Sequence, residues 1–150
     1  MRKIFLFVSF CALSIGIASC SGDDNEAVSQ PGGTVTLKMN GVAKTYNTVT
    51  VSKNVATDYT QLTLTASQNG GSTDMVKFIM EEGVTGADEI WSTQMTIGGA
   101  SSYTSLSTNT TANSNNHVKG TFSGTATVYN STTGAETIYN ITEGNFEANY

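Results

Sequence analysis

The chain has 150 residues, a formal charge of −5, and only 13% charged residues. It offers no basic stripe to a phosphate backbone, so nucleic acid is not an expected partner. Two cysteines and one histidine are too few for a Cys/His zinc site, and we expect neither a metal nor another cofactor.

Met1-Arg2-Lys3 is basic, and Ile4 to Ile17 form an almost unbroken apolar run. A basic head followed by about 14 apolar residues is the pattern of a signal peptide, too short to span a bilayer comfortably. Ile17-Ala18-Ser19-Cys20 then resembles the lipobox of bacterial lipoproteins. The resemblance implies cleavage before Cys20, so residues 1–19 form the signal peptide and Cys11 is discarded with it. It also implies a diacylglyceryl thioether on Cys20, usually with an N-acyl chain such as palmitate, and two chains anchor a protein stably.

Residues 20–33 read as the lipidated cysteine and a flexible tether, with the acidic cluster Asp23, Asp24 and Glu26 and the stop Pro31-Gly32-Gly33. Acidic residues just after the cysteine resemble the surface-export signal of Bacteroidota lipoproteins, and Ser21 beside the cysteine favours the outer membrane by the same resemblance. The expected location is the outer membrane, lipid-anchored and facing the cell surface. Without Arg2 and Lys3 the charge falls to about −7.

Residues 34–150 suffice for one domain, and their alternation has a period of two throughout. Val35, Leu37 and Met39 share a face before the hairpin signal Asn40-Gly41. Val42 and Tyr46 lead into Val49 and Val51; Leu62, Leu64 and Ala66 precede the turn Gln68–Ser72; Val76, Phe78 and Met80 follow. Glu81 to Glu89 is an acidic connection. Trp91, Met95 and Ile97 fall on one face of the next strand, which Gly98-Gly99 ends. Tyr103 belongs to a short strand, and Ser105 to Asn116 reads as a polar loop. Val118, Gly120, Phe122, Ala126 and Val128 then alternate with His117, Lys119, Thr121 and Ser123. Tyr139, Ile141, Phe146, Ala148 and Tyr150 make the last strand. No window carries a helical period. The expectation is an all-β domain of eight or nine antiparallel strands, a β-sandwich with a small β-barrel as the alternative.

Gly120-Thr121-Phe122, the ending Thr142-Glu143-Gly144-Asn145-Phe146 and the opening hairpin together resemble small Bacteroidota surface lipoproteins of unknown function. The resemblance implies a small sandwich or barrel and transfers no activity.

The candidate chemistry is sparse. His117 shares a strand face with Lys119 and Thr121, as an exposed sheet histidine does, and catalysis through a histidine would have no other choice. Glu81, Glu82, Asp88 and Glu89 are the carboxylates from which a glycoside hydrolase would draw its pair. Adjacent residues of a strand point apart, so one member of each dipeptide would have to converge. Trp91 and Tyr103 are the aromatics able to stack on a sugar, although alternation groups Trp91 with the core positions Met95 and Ile97. A lipocalin-like carrier of an apolar ligand is a further alternative, and the Gly-x-Trp opening of that family is missing. The reading that follows is a membrane-anchored binding or structural module rather than an enzyme. Its partners would be the membrane, through Cys20, and a glycan or protein ligand.

Overall fold

The computed structural model describes residues Gly32–Tyr150; the expected signal peptide, Cys20 and nearly all of the expected tether lie outside the described residues. Ten strands follow one another with short turns: β1 (Gly33–Met39), β2 (Val42–Tyr46), β3 (Thr48–Val55), β4 (Thr60–Ser67), β5 (Met75–Glu81), β6 (Gly86–Ala87), β7 (Ile90–Ile97), β8 (Ala100–Ser114), β9 (His117–Tyr129) and β10 (Glu136–Asn149). Among the described residues there is no helix.

The turns are those their residues favour. Asn40 and Gly41 take φ of 50° and 81°, Asn69 and Gly70 51° and 73°, Gly98 and Gly99 59° and 83°. At Asn40-Gly41 and Gly98-Gly99 these values match the twist of a two-residue hairpin, whereas Asn69-Gly70 lies within the longer connection from β4 to β5; Asn and Gly reach that region at the lowest cost. Asn115 and Asn116 do the same at 55° and 59°.

All pairings are antiparallel, and they join the strands into one sheet of order β2-β1-β10-β9-β8-β7-β5-β4-β3, with β6 added beside β8. Strands β2 and β3 stand at opposite ends of that order, yet only Asn47 separates them in the chain. They are in effect one bent strand whose first half pairs with β1 and whose second half pairs with β4. This connection forces the sheet to curl into a half-barrel, which brings β3 against β1 and β10 across the core.

The inner face holds the residues that alternation assigned to it. Val35, Leu37, Leu62, Leu64, Val76, Phe78, Val118, Phe122 and Phe146 are buried. Phe78 meets Phe122 and Phe146 at centroid distances of 5.1 Å each, and all three rings belong to the buried core. Gly120 is required there: a Cβ would run into the Phe146 ring and the carbonyl of Asn109. The buried phenol of Tyr46 has no hydrogen-bond partner. Desolvation, reinforced by the Asp74 carboxylate, pushes it up to about 12.

The inner face of β8 differs. Thr108, Thr110 and Asn113 are buried there. The segment between β5 and β7 lies over them, pinned by Asn113, whose side-chain amide donates to the carbonyls of Glu81 (2.6 Å) and Val84 (3.0 Å). Tyr150 closes the same end of the fold. Its hydroxyl donates to Glu82 at 3.2 Å, and Glu82 also pairs with Lys53 at 2.7 Å. Burial and the Glu82 charge raise the Tyr150 phenol to about 12.

Two sequence expectations are corrected. Ser105 to Asn116 is not a loop: up to Ser114 it is the second half of β8, hydrogen-bonded to β9 from Ser102↔Val128 to Ser114↔His117. Its alternation is present but written in Thr and Asn, so hydropathy did not reveal it. Strand β6, inside the acidic connection, raises the count to ten.

Candidate functional site

The site lies where β7 and β8 part. Their ladder runs from Ile97↔Ala100 to Met95↔Ser102 and stops. Two residues further, side chains take over: the hydroxyls of Thr93 and Thr104 lie 2.7 Å apart, and Thr104 Oγ1 also donates to the Thr93 carbonyl at 2.8 Å. The same edge of β8 is covered again from Thr108, whose amide and carbonyl both meet Asp88, through Asn109 and Thr110, which pair with β6. Between these two contacts is an open cleft of about 340 Å³, lined by Asp88, Trp91, Ser92, Thr93, Thr104 and Ser105 among others.

A β-bulge puts Trp91 at its mouth. On β5, Ile79 pairs with Ser92 but Met80 pairs with Ile90, so Trp91 is the extra residue. An inserted residue reverses the phase of a strand. Ile90 therefore packs toward the core, and Trp91 turns out with 49% of its surface exposed. This corrects the expectation that Trp91 packs with Met95, because alternation cannot register a bulge. Its ring is braced edge-on by Tyr59, with centroids 5.2 Å apart and planes at 78°. One face-bearing indole held in place by a second aromatic, beside a row of hydroxyls, is the combination that stacks on a sugar ring and hydrogen-bonds its hydroxyls.

Asp88 takes a left-handed φ of 57°, and its carboxylate accepts from the Thr108 amide (2.9 Å) and the Ser107 hydroxyl (3.3 Å). It fixes the far wall of the cleft. Tyr103 is 79% exposed and stands outside the cleft, in the row Tyr103↔Thr127↔Ile138 on the outer face.

The other sequence candidates are dispersed. Glu82 is engaged by Lys53 and Tyr150 at the end of the fold, and Glu81 faces Gln61 across the β4–β5 ladder. Glu89 lies next to Gly86. Of these four carboxylates, only Asp88 lines the cleft. His117 sits on the outer face, 3.1 Å from Glu147, which Lys119 also approaches at 3.4 Å. Hydrogen bonds from His117 and Lys119, with the Lys119 charge, hold the Glu147 carboxyl below the usual range. Among the described residues no group of three or more His, Cys, Asp or Glu is arranged to hold a metal ion.

Sequence reasoning missed Glu143. It lies in a second bulge, where β10 shifts register against β9 between Ile141 and Gly144, and it takes a φ of 52°. That bulge carries its carboxylate to Lys38 at 2.7 Å, at the edge of an outer groove. The cue was Glu143-Gly144 interrupting a strand, since glycine inside a strand pattern often marks a bulge. No family model matches this chain, and no curated protein or solved structure matches it either.

Proposed function

We propose that this chain is a recognition module of a bacterial envelope, held on the outer membrane by lipid on Cys20 and displayed at the cell surface, and that it binds glycan at the cleft between β7 and β8. The observation that carries the reading is Trp91, turned outward by a bulge and braced by Tyr59 beside a hydroxyl-lined cleft. A large indole left half in water costs a fold the benefit of burying it, and this one stands at a cleft with polar walls rather than alone on a flat face. The same reading takes the curled sheet as a sandwich in outline, with β2-β1-β10-β9-β8 facing β7-β5-β4-β3; a small barrel is the alternative. Recognition is favoured over hydrolysis because the cleft contributes one carboxylate, Asp88, already engaged by Thr108 and Ser107, where bond cleavage needs two in concert.

Trp91 is the only tryptophan, so its fluorescence reports on the site directly. A glycan-array screen of the purified protein, followed by fluorescence titration of the hits, is the test. Binding should shift or quench the emission. Trp91→Ala should weaken binding by about 30-fold, the scale of a central aromatic contact, with the circular dichroism of the fold unchanged. Binding untouched by Trp91→Ala, or no glycan bound, would count against the reading.

A further inference from the structure

The cleft is a missing rung in the ladder between β7 and β8. In an antiparallel strand the N–H and C=O of one residue point to the same edge, and those of every second residue follow. The Thr108 amide donates to the Asp88 carboxylate at 2.9 Å, and the Thr108 carbonyl accepts from the Asp88 amide at 2.8 Å. Leu106, two residues earlier, therefore aims its own N–H and C=O at the cleft. Neither ladder reaches it: the one with β7 stops at Ser102, and the one with β6 starts at Asn109. On the opposite wall the Thr93 carbonyl faces β8, where it accepts from Thr104 Oγ1, and the Thr93 amide shares that edge.

The gap is short. Thr104, tied to Thr93, closes it two residues before Leu106, and Thr108, tied to Asp88, closes it two residues after. A peptide strand would have to run through both closures. A single amide does not: it is planar, with N–H and C=O on opposite sides, and so donates to one wall while accepting from the other. Beneath the gap, Ile90 and Leu106 line the cleft and pack against the core, which suits a small apolar group. Asp88 is the one ionisable residue in the lining, so an acidic sugar would meet a like charge. A volume of about 340 Å³ is at the low end for small-ligand sites and holds one sugar rather than a chain.

We infer that the sugar seated here is a neutral N-acetylated amino sugar. Its ring lies on Trp91, its acetamido group fills the gap between Thr93 and Leu106, and its acetyl methyl covers Ile90 and Leu106. This rests on the glycan reading of the cleft and names the class of sugar.

A matched set of ligands tests it. Methyl glycosides of glucose, galactose and mannose, each with a hydroxyl, an acetamido or an amino group on the carbon next to the anomeric centre, are titrated into the purified full chain and followed by Trp91 emission. In each configuration that binds, the acetamido form should bind about tenfold tighter than the hydroxyl form, as added amide hydrogen bonds do. The amino form should bind no tighter than the hydroxyl form. The acetamido ligand should also slow hydrogen exchange at the amide of Leu106 or Thr93. Leu106→Ala, which lowers the surface under the methyl, should cut the acetamido advantage about threefold and leave the hydroxyl form unchanged. Equal binding of the acetamido and hydroxyl forms, both lost in Trp91→Ala, would overturn the acetamide and leave the glycan cleft standing. Tightest binding of the amino form would overturn it too, by making Asp88 the determinant. Failure of every glycoside to bind would overturn the inference, and the glycan array then decides the cleft by itself.

Discussion

Strands β8 and β9 run side by side over nearly their whole length, yet their inner faces have opposite chemistry. From β9 come Val118, Gly120, Phe122 and Ala126; from β8 come Leu106, Thr108, Thr110 and Asn113. The difference lies in what covers each. The inner face of β9 meets Phe78 and Phe146, whose rings ask only for shape. That of β8 meets the main chain that joins β5 to β7, where the carbonyls of Glu81 and Val84 take their donor from Asn113. An inward-facing position is thus set by its covering, and a polar residue belongs inside wherever that covering is unpaired main chain.

The contrast breaks most severely at Phe122. Phe122→Ala removes a ring that touches Phe78, and a buried phenylalanine lost to alanine costs about 3–5 kcal/mol. Chemical denaturation should show the midpoint falling with little change in slope. On the β8 side, Asn113→Ala leaves the carbonyls of Glu81 and Val84 without their donor, and the expected loss is about 2 kcal/mol. The sharper readout there is hydrogen exchange: protection should fall first in residues 82–89 and in β6, leaving β9 as slow as before. The smallest effect tests the rule most narrowly. Thr110 Oγ1 is buried and has no partner, so Thr110→Val removes a desolvated oxygen at constant shape. Stability should hold or rise by up to about 1 kcal/mol, whereas the same change at a satisfied hydroxyl would lower it. A clear loss at Thr110 would mean that its hydroxyl has a partner in solution.

These strands also mark how much of the molecule was legible in its sequence. The alternating inward positions of β1, β4 and β5 followed from the pattern, because Val, Leu, Ala, Phe and Met occupy them. The hairpin at Asn40-Gly41 and the strand break at Gly98-Gly99 followed from residue type. The second half of β8 did not, because Thr108, Thr110 and Asn113 give it no hydropathy contrast, and its turn at Asn115-Asn116 was hidden in a stretch of similar residues. At the site, Trp91 and Asp88 were legible as residues but their orientation was not. A bulge at Trp91 and another at Glu143 each shift the phase by local geometry, which a pattern of period two cannot encode.

Gly33 lies opposite Ala148, so the first strand of the described domain is flanked on one side by the last. Strands β1 and β2 can form their hairpin early, but they have no other place in the sheet until residues near 148 arrive. Most partners in this fold are distant in sequence, and chains of that kind close their structure in milliseconds to seconds rather than microseconds. Through that interval the Val35, Leu37 and Met39 side of the hairpin stays uncovered, so a chain emerging from its N-terminus first must keep its opening strands waiting for its final ones.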